Sequence, residues 1–445
     1  MKHVAKLVTK LQSAILALAL CSVVLCCLTF SASAAHAGLA GALRMFPNEK
    51  SFGQFGTEPG EFRTPTGLAL SPDGFLYVTD YKNNSVLKFD DEGRYVGPIT
   101  PGDVPFDAPV GLAFDSKKNL YVVEEKGCRV RKFDAKGALL ATYGGPGAET
   151  GKFRGPRGIA VGPHDEVFVA DYDNHRIQEF NANFAWVRNL RMKDVGRKPA
   201  APRGLAIDRE GHLWACFSNV HHIVRFDATG NTDLTCGEEG TGLGQFEEPR
   251  YLAFDVQNHF YVTDYNNGRI QRFNAKGEFE FSVGVKGSGR TQFKGAQGIA
   301  VDLKGNVYIA DSDNFRVQVL FVNEVMADLN FAHYYDSVKE YDKALETYQK
   351  VLRKVPLHLE SIARVIAISE TLAEQYRNTD QLDKAKPYLD EILRLEPSNT
   401  KAIQYYRWIL WKNNKGMIYY LTLGTGIFFT FIFLVTTMVK ILTSD

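Results

Sequence analysis

The chain has 445 residues, 45% hydrophobic and 23% charged, a composition of folded domains that excludes disorder. Length alone argues for about three domains. Its 52 basic and 51 acidic residues leave a formal charge of +1, which lacks the basic surplus that non-specific nucleic-acid binding requires.

At the N-terminus, Lys2, Lys6 and Lys10 lead into an apolar stretch from Leu11 to Phe30. Ala35-His36-Ala37 meets the small-residue cleavage rule, so residues 1–37 read as a signal peptide with Gly38 as the first mature residue. An uncleaved signal anchor is the alternative, and either reading places the following domains across a membrane. Cys21, Cys26 and Cys27 fall inside that segment. The remaining Cys128, Cys216 and Cys236 are widely spaced and odd in number, so they read as small buried hydrophobes rather than a disulfide framework.

The middle of the chain is repetitive. Gly67-Leu68-Ala69 recurs as Gly111-Leu112-Ala113, Gly158-Ile159-Ala160, Gly204-Leu205-Ala206, Tyr251-Leu252-Ala253 and Gly298-Ile299-Ala300, at spacings of 44 to 47 residues. Each is followed by β-rich runs such as Phe168-Val169-Ala170-Asp171, then Arg176-Ile177-Gln178-Glu179-Phe180, and then a short run into a glycine-rich loop. Tight-turn signals such as Ser71-Pro72-Asp73-Gly74 separate the first two runs. Four short strands per unit of this length are the period of a propeller blade. The last unit has only three strands, ending at Val317 to Phe321, and the segment from Met45 to Phe52 is the missing fourth. The expected fold is a mainly β, six-bladed propeller over residues 45–325 whose first strand completes its last blade.

The residues Pro156, Gly158, Asp171, Asn174, Arg176, Ile177 and Phe180 resemble the NHL repeat family, as do Asp264, Asn267, Arg269 and Asp311, Asn314, Arg316. The departures are Ser85 in place of an arginine, Cys216 in place of an aspartate, and Tyr251 in place of a glycine. Aspartate and arginine five residues apart across a turn are expected to pair and to tie the second strand to the third. The fourth unit, with Cys216 and His221 or His222 in those positions, lacks the pair and is expected to be locally weaker.

After Val325 the apolar period changes to that of a helix. Ala332, Tyr335, Ala344, Tyr348 and Pro356, and then Ala373, Tyr376, Ala385, Leu389 and Pro397, resemble two tetratricopeptide (TPR) units over residues 326–412, with Asn399 to Trp411 as a capping helix. The resemblance implies a groove that docks a peptide or protein, and a rigid spacer is the alternative. Met417 to Val439 then runs 23 positions without a charge, enough to cross a hydrocarbon core of about 30 Å as a transmembrane helix, leaving 440–445 as a short tail. Arg407, Lys412 and Lys415 on its outer side run against the positive-inside bias, and the signal segment is given more weight.

The candidate chemistry is sparse. His164, His212 and His259 fall by register in turns on one face, and His175, His221 and His222 in turns on the other, so no single cluster with zinc-ligand spacing is expected. No nucleophile elbow, phosphate loop or carboxylate pair stands out. No cofactor, metal or catalytic residue is therefore assigned. The loops before strand one supply Arg157, Arg203 and Arg250 from three consecutive units, with Gln297 from the next, and the turns after strand two supply Tyr81, Tyr172 and Tyr265. On a propeller these open on one face, and guanidiniums with tyrosines around a channel mouth suit an anionic, glycan-like or peptide ligand. The expected function is a non-enzymatic, membrane-anchored, single-pass binding or scaffold protein facing the periplasm, with a protein, peptide or envelope polymer as partner. A metal-dependent propeller lyase or hydrolase, and an assembly factor for an envelope complex, remain the alternatives.

Overall fold

The computed structural model describes residues 48–192, 199–355 and 358–413. The signal segment 1–37, the apolar run 417–439 and the tail 440–445 lie outside the described residues. Among the described residues, no helix is long and apolar enough to cross a membrane. The chain divides into two compact units at Asn330 and Phe331.

The first unit is a six-bladed β-propeller. Five blades are consecutive four-stranded antiparallel sheets, and the sixth takes Ala296–Val301, Val307–Asp311 and Arg316–Phe321 from its own unit. Its outermost strand is Asn48–Phe52, with Asn48 opposite Phe321 and Phe52 opposite Val317. The ring is thus closed by residues that are distant in sequence, which leaves the sixth sheet no unpaired third strand.

Strand alternation explains how the blades stack. In Leu213–Phe217 of blade four, Leu213, Ala215 and Phe217 pack with Phe168, Ile177 and Leu190 of blade three. Trp214 and Cys216 point the other way, onto Leu252, Phe260 and Val262 of blade five. Every sheet is apolar on both faces for this reason, and each of the six blade interfaces holds its own apolar cluster.

The same alternation corrects the reading of blade four. Pro156 lies opposite Asp171, whereas the equivalent Pro202 lies opposite Phe217. Phe217, not Cys216, therefore stands in the aspartate position, and His222, its partner across the strands, stands in the arginine position. A slip of one residue in a strand moves the side chain to the opposite face, and the interval of 13 residues that separates Gly158 from Asp171 and Gly298 from Asp311 leads from Gly204 to Phe217. The three cysteines are free, and burial pushes the Cys236 thiol up to about 12.

In blades three, five and six the expected pair forms. Arg176 Nε lies 2.7 Å from Asp171, Arg269 Nε 2.8 Å from Asp264, and Arg316 Nε 2.9 Å from Asp311. Asp171 also accepts from the backbone N–H of Arg154 and from the side-chain amides of Asn174 and Gln178. A fully buried carboxylate with this many donors pins the entering loop to the second and third strands. Blade two uses Glu124, held by both Arg129 and the buried Arg131.

Among the described residues, five helices follow the propeller: α1 (Glu324–Ser337), α2 (Tyr341–Lys354), α3 (Leu359–Asn378), α4 (Leu382–Leu395) and α5 (Thr400–Asn413). In the second unit, α3 packs between α2 and α4, and α4 meets α5. Small residues at the contacts, Ala344, Ala373, Ala385 and Ala402, are fully or almost fully buried and let the helices approach.

Candidate functional site

The six innermost strands share one irregularity. In each, the register shifts after the first residue, between Pro65 and Leu68, Pro109 and Leu112, Pro156 and Ile159, Pro202 and Leu205, Pro249 and Leu252, and Ala296 and Ile299. A bulge re-aims a side chain out of the pleat. The residues carried in the bulges are Thr66, Val110, Arg157, Arg203, Arg250 and Gln297, followed by a glycine in five blades and by Tyr251 in the fifth. The glycines permit close blade contact: a Cβ on Gly158 would stand 3.0 Å from Leu205 N, and one on Gly298 2.9 Å from Leu68 N. Four of the seven residues singled out from the sequence are thus bulge residues, brought to one end of the channel by the same backbone device.

Three of them converge. The Arg203 guanidinium is pulled down to about 10 by burial and by the positive charges of Arg250 and Arg157. Arg157 donates to Glu125 at 3.1 Å and lies 4.5 Å from the centre of the Tyr172 ring. Arg250 donates to Glu248 at 3.2 Å and lies 3.1 Å from the centre of the Tyr265 ring. Each of these two is held between a carboxylate and an aromatic face. Arg203 instead reaches across to Gln297 Oε1 at 3.2 Å, and among the described residues it forms no ion pair. The Nε atoms of all three arginines are buried without a hydrogen-bond partner.

Tyr172 begins a single 3-10 turn that ends at His175 in a left-handed conformation, which swings the ring over its own blade's arginine. Tyr81 stands apart from this pattern. Its blade carries Thr66 in the bulge, and the ring lies 5.6 Å from Lys126 of the next blade. Burial raises the Tyr81 phenol, with a further push from the Glu125 charge.

Three members of the site went unrecognised in the sequence. Glu125 follows Glu124 as Tyr172 follows Asp171, and aligning the second blade at its acidic residue is enough to find it. Tyr251 is visible as the missing glycine. Burial raises its phenol against the opposing charges of Arg203, Arg157 and Arg250, which places it in the same cluster. Glu248 has no repeat signal, because the loop before each inner strand varies.

The histidines are distributed among local networks. His212 binds Asp208 at 3.0 Å, His259 binds Asp255 at 3.5 Å, and His221 Nδ1 accepts from the Glu248 N–H. Among the described residues, no group of three or more His, Cys, Asp or Glu side chains is placed to hold a metal ion.

The helical unit holds a cavity of about 420 Å³ lined by Glu370, Glu374, Arg377, Lys401, Tyr405 and Trp408 among others. Arg377 stacks against both Tyr405 and Trp408, at 5.5 and 5.4 Å from the ring centres.

The NHL repeat model matches residues 62–89, 153–180, 246–273 and 293–320. These are blades one, three, five and six. The two unmatched blades are those in which the aspartate position holds Glu124 or Phe217. Similar solved structures include a protein of unknown function from Bacteroides thetaiotaomicron, 15% identical with a TM-score of 0.52, covering 62% of this chain and 77% of that one. Virginiamycin B lyase from Staphylococcus aureus is 13% identical with a TM-score of 0.46, covering 62% and 99%. A gluconolactonase from Xanthomonas campestris is 14% identical with a TM-score of 0.48, covering 64% and 93%. A search of curated proteins returns no match.

Proposed function

We propose, for a six-bladed propeller that carries NHL repeats in four of its blades, a role as a binding scaffold rather than an enzyme. Its channel mouth takes an anionic group of a protein, peptide or envelope polymer. The observation that carries this reading is the convergence of Arg157, Arg203 and Arg250 at one end of the channel, with no ion pair to Arg203 among the described residues. Three like charges brought together destabilise the empty fold, and an arriving anion relieves that repulsion. The helical unit is proposed, on its TPR-like pattern, to dock a second protein. The signal-like segment 1–37 and the uncharged run 417–439 support an extracytoplasmic, membrane-anchored placement.

The test is affinity capture with the full chain in detergent, comparing wild type with the Arg157→Ala, Arg203→Ala, Arg250→Ala triple variant. A molecule retained by wild type and lost from the folded variant supports the propeller as the binding body. Equal retention by both moves the binding function away from the channel.

A further inference from the structure

We infer that the group bound at the channel mouth is a single carboxylate, received by the Nε–Nη2 edge of Arg203 and by the amide of Gln297. The inference rests on the proposed binding role of this face and names the chemistry that the face selects.

Charge comes first. The three guanidiniums stand with two carboxylates, Glu125 and Glu248, each paired to one of them. One positive charge is left over, and it resides on Arg203. A monoanion neutralises that surplus, whereas a dianion leaves a net negative charge among partly buried groups, which is unfavourable at low local dielectric.

Geometry comes second. Arg157 and Arg250 are each fixed by a carboxylate and a tyrosine ring, so they act as stationary positive walls. Arg203 has only the neutral Gln297 oxygen on Nη2, and its Nε is buried without a partner. The Nε and Nη2 hydrogens point along one edge of the planar guanidinium, which matches the two oxygens of a carboxylate. Turning that edge to a ligand supplies a partner for Nε and exchanges one long bond on Nη2. The released Gln297 amide then presents its N–H to the same anion.

Polarity across the channel comes third. The bulge positions of blades one and two are Thr66 and Val110, buried and uncharged. The body of the ligand beyond its acid group is therefore received toward that neutral side. A free peptide terminus and a sugar acid share the required chemistry.

The experiment is calorimetric titration of the detergent-purified full chain at constant ionic strength and neutral pH. The probes are N-acetylglycine and glucuronate, each against its own amide, with sulfate as the dianion. The expected result is that at least one acid binds about tenfold or more tightly than its amide. Arg203→Gln abolishes that preference, and Arg203→Lys, which keeps the charge but not the fork, weakens it. Whichever acid is bound identifies the source. If sulfate binds more tightly than both acids and is lost in Arg203→Gln, the carboxylate inference fails while the binding face stands. If neither acid binds at millimolar concentration, the inference is overturned. If an acid binds the triple alanine variant as well as wild type, the binding face fails with it.

Discussion

Gly204 lies so close to Tyr251 that a Cβ on the glycine would stand 2.6 Å from the tyrosine Cα. These residues occupy the same position, one after the bulge arginine, in neighbouring blades, and their contact sets the distance between the inner strands that carry Arg203 and Arg250. Gly204→Ala is expected to push blades four and five apart, costing about 1–3 kcal/mol. The control is Gly97→Ala in an outer strand, where a Cβ meets nothing within 4 Å and thermal stability should not fall. Equal melting temperatures for the two variants would contradict close packing at the channel.

The pin of blade three can be dissected by a double-mutant cycle. Asp171→Asn leaves Arg176, almost fully buried, with an uncompensated charge, and should cost about 3–5 kcal/mol. The double change Asp171→Phe, Arg176→His imitates blade four and should cost less than the sum of the single changes. Additive losses would mean that the two side chains act independently.

Ring closure depends on Phe52. Its ring centre lies 4.9 Å from that of Phe89 in blade one, so one side chain from the outermost strand of blade six bridges to the first blade. Phe52→Ala should cost on the order of 2 kcal/mol, less than the 3–5 of a fully buried phenylalanine because Phe52 is half-buried. Hydrogen exchange should rise in Arg316–Phe321, the strand paired with it. Faster exchange confined to another blade would count against this closure.

Arg203 should be a stability liability. A base whose folded pKa, about 10, lies below its ordinary value holds its charge at a penalty that is fully present at neutral pH. The penalty fades as pH rises through the folded value. Arg203→Met is therefore expected to raise stability at pH 7, on the order of 1–3 kcal/mol after allowance for partial exposure. The gain should shrink when wild type and variant are compared at alkaline pH. A fall in melting temperature at pH 7 would show that the side chain is structural.

Much of the fold was legible because its physical causes are local and repeated. The recurring glycine-apolar-alanine step, the turn residues and the aspartate–arginine spacing each act over a few positions, and their recurrence from unit to unit reinforces the reading. The helices were foreshadowed by the change of apolar period. Blade four was misread because Leu213-Trp214-Ala215-Cys216-Phe217 is apolar throughout. A run without alternation carries no mark of its own register, but the 13-residue interval that leads from Gly158 to Asp171 leads from Gly204 to Phe217, and the packing against both neighbouring blades follows that register.

The sequence by itself determined the propeller, the number of blades, the borrowed closing strand and the seven candidate binding residues. The tertiary structure decided how those candidates differ. Arg157 and Arg250 meet carboxylates, whereas Arg203 meets only an amide: Glu125 reaches Arg157 from the neighbouring blade, and Glu248 stands two residues before Arg250 in a loop that varies from blade to blade. Pairing between side chains on different blades depends on distances across the channel. Those distances arise only when six sheets close into one ring, and no local pattern encodes them.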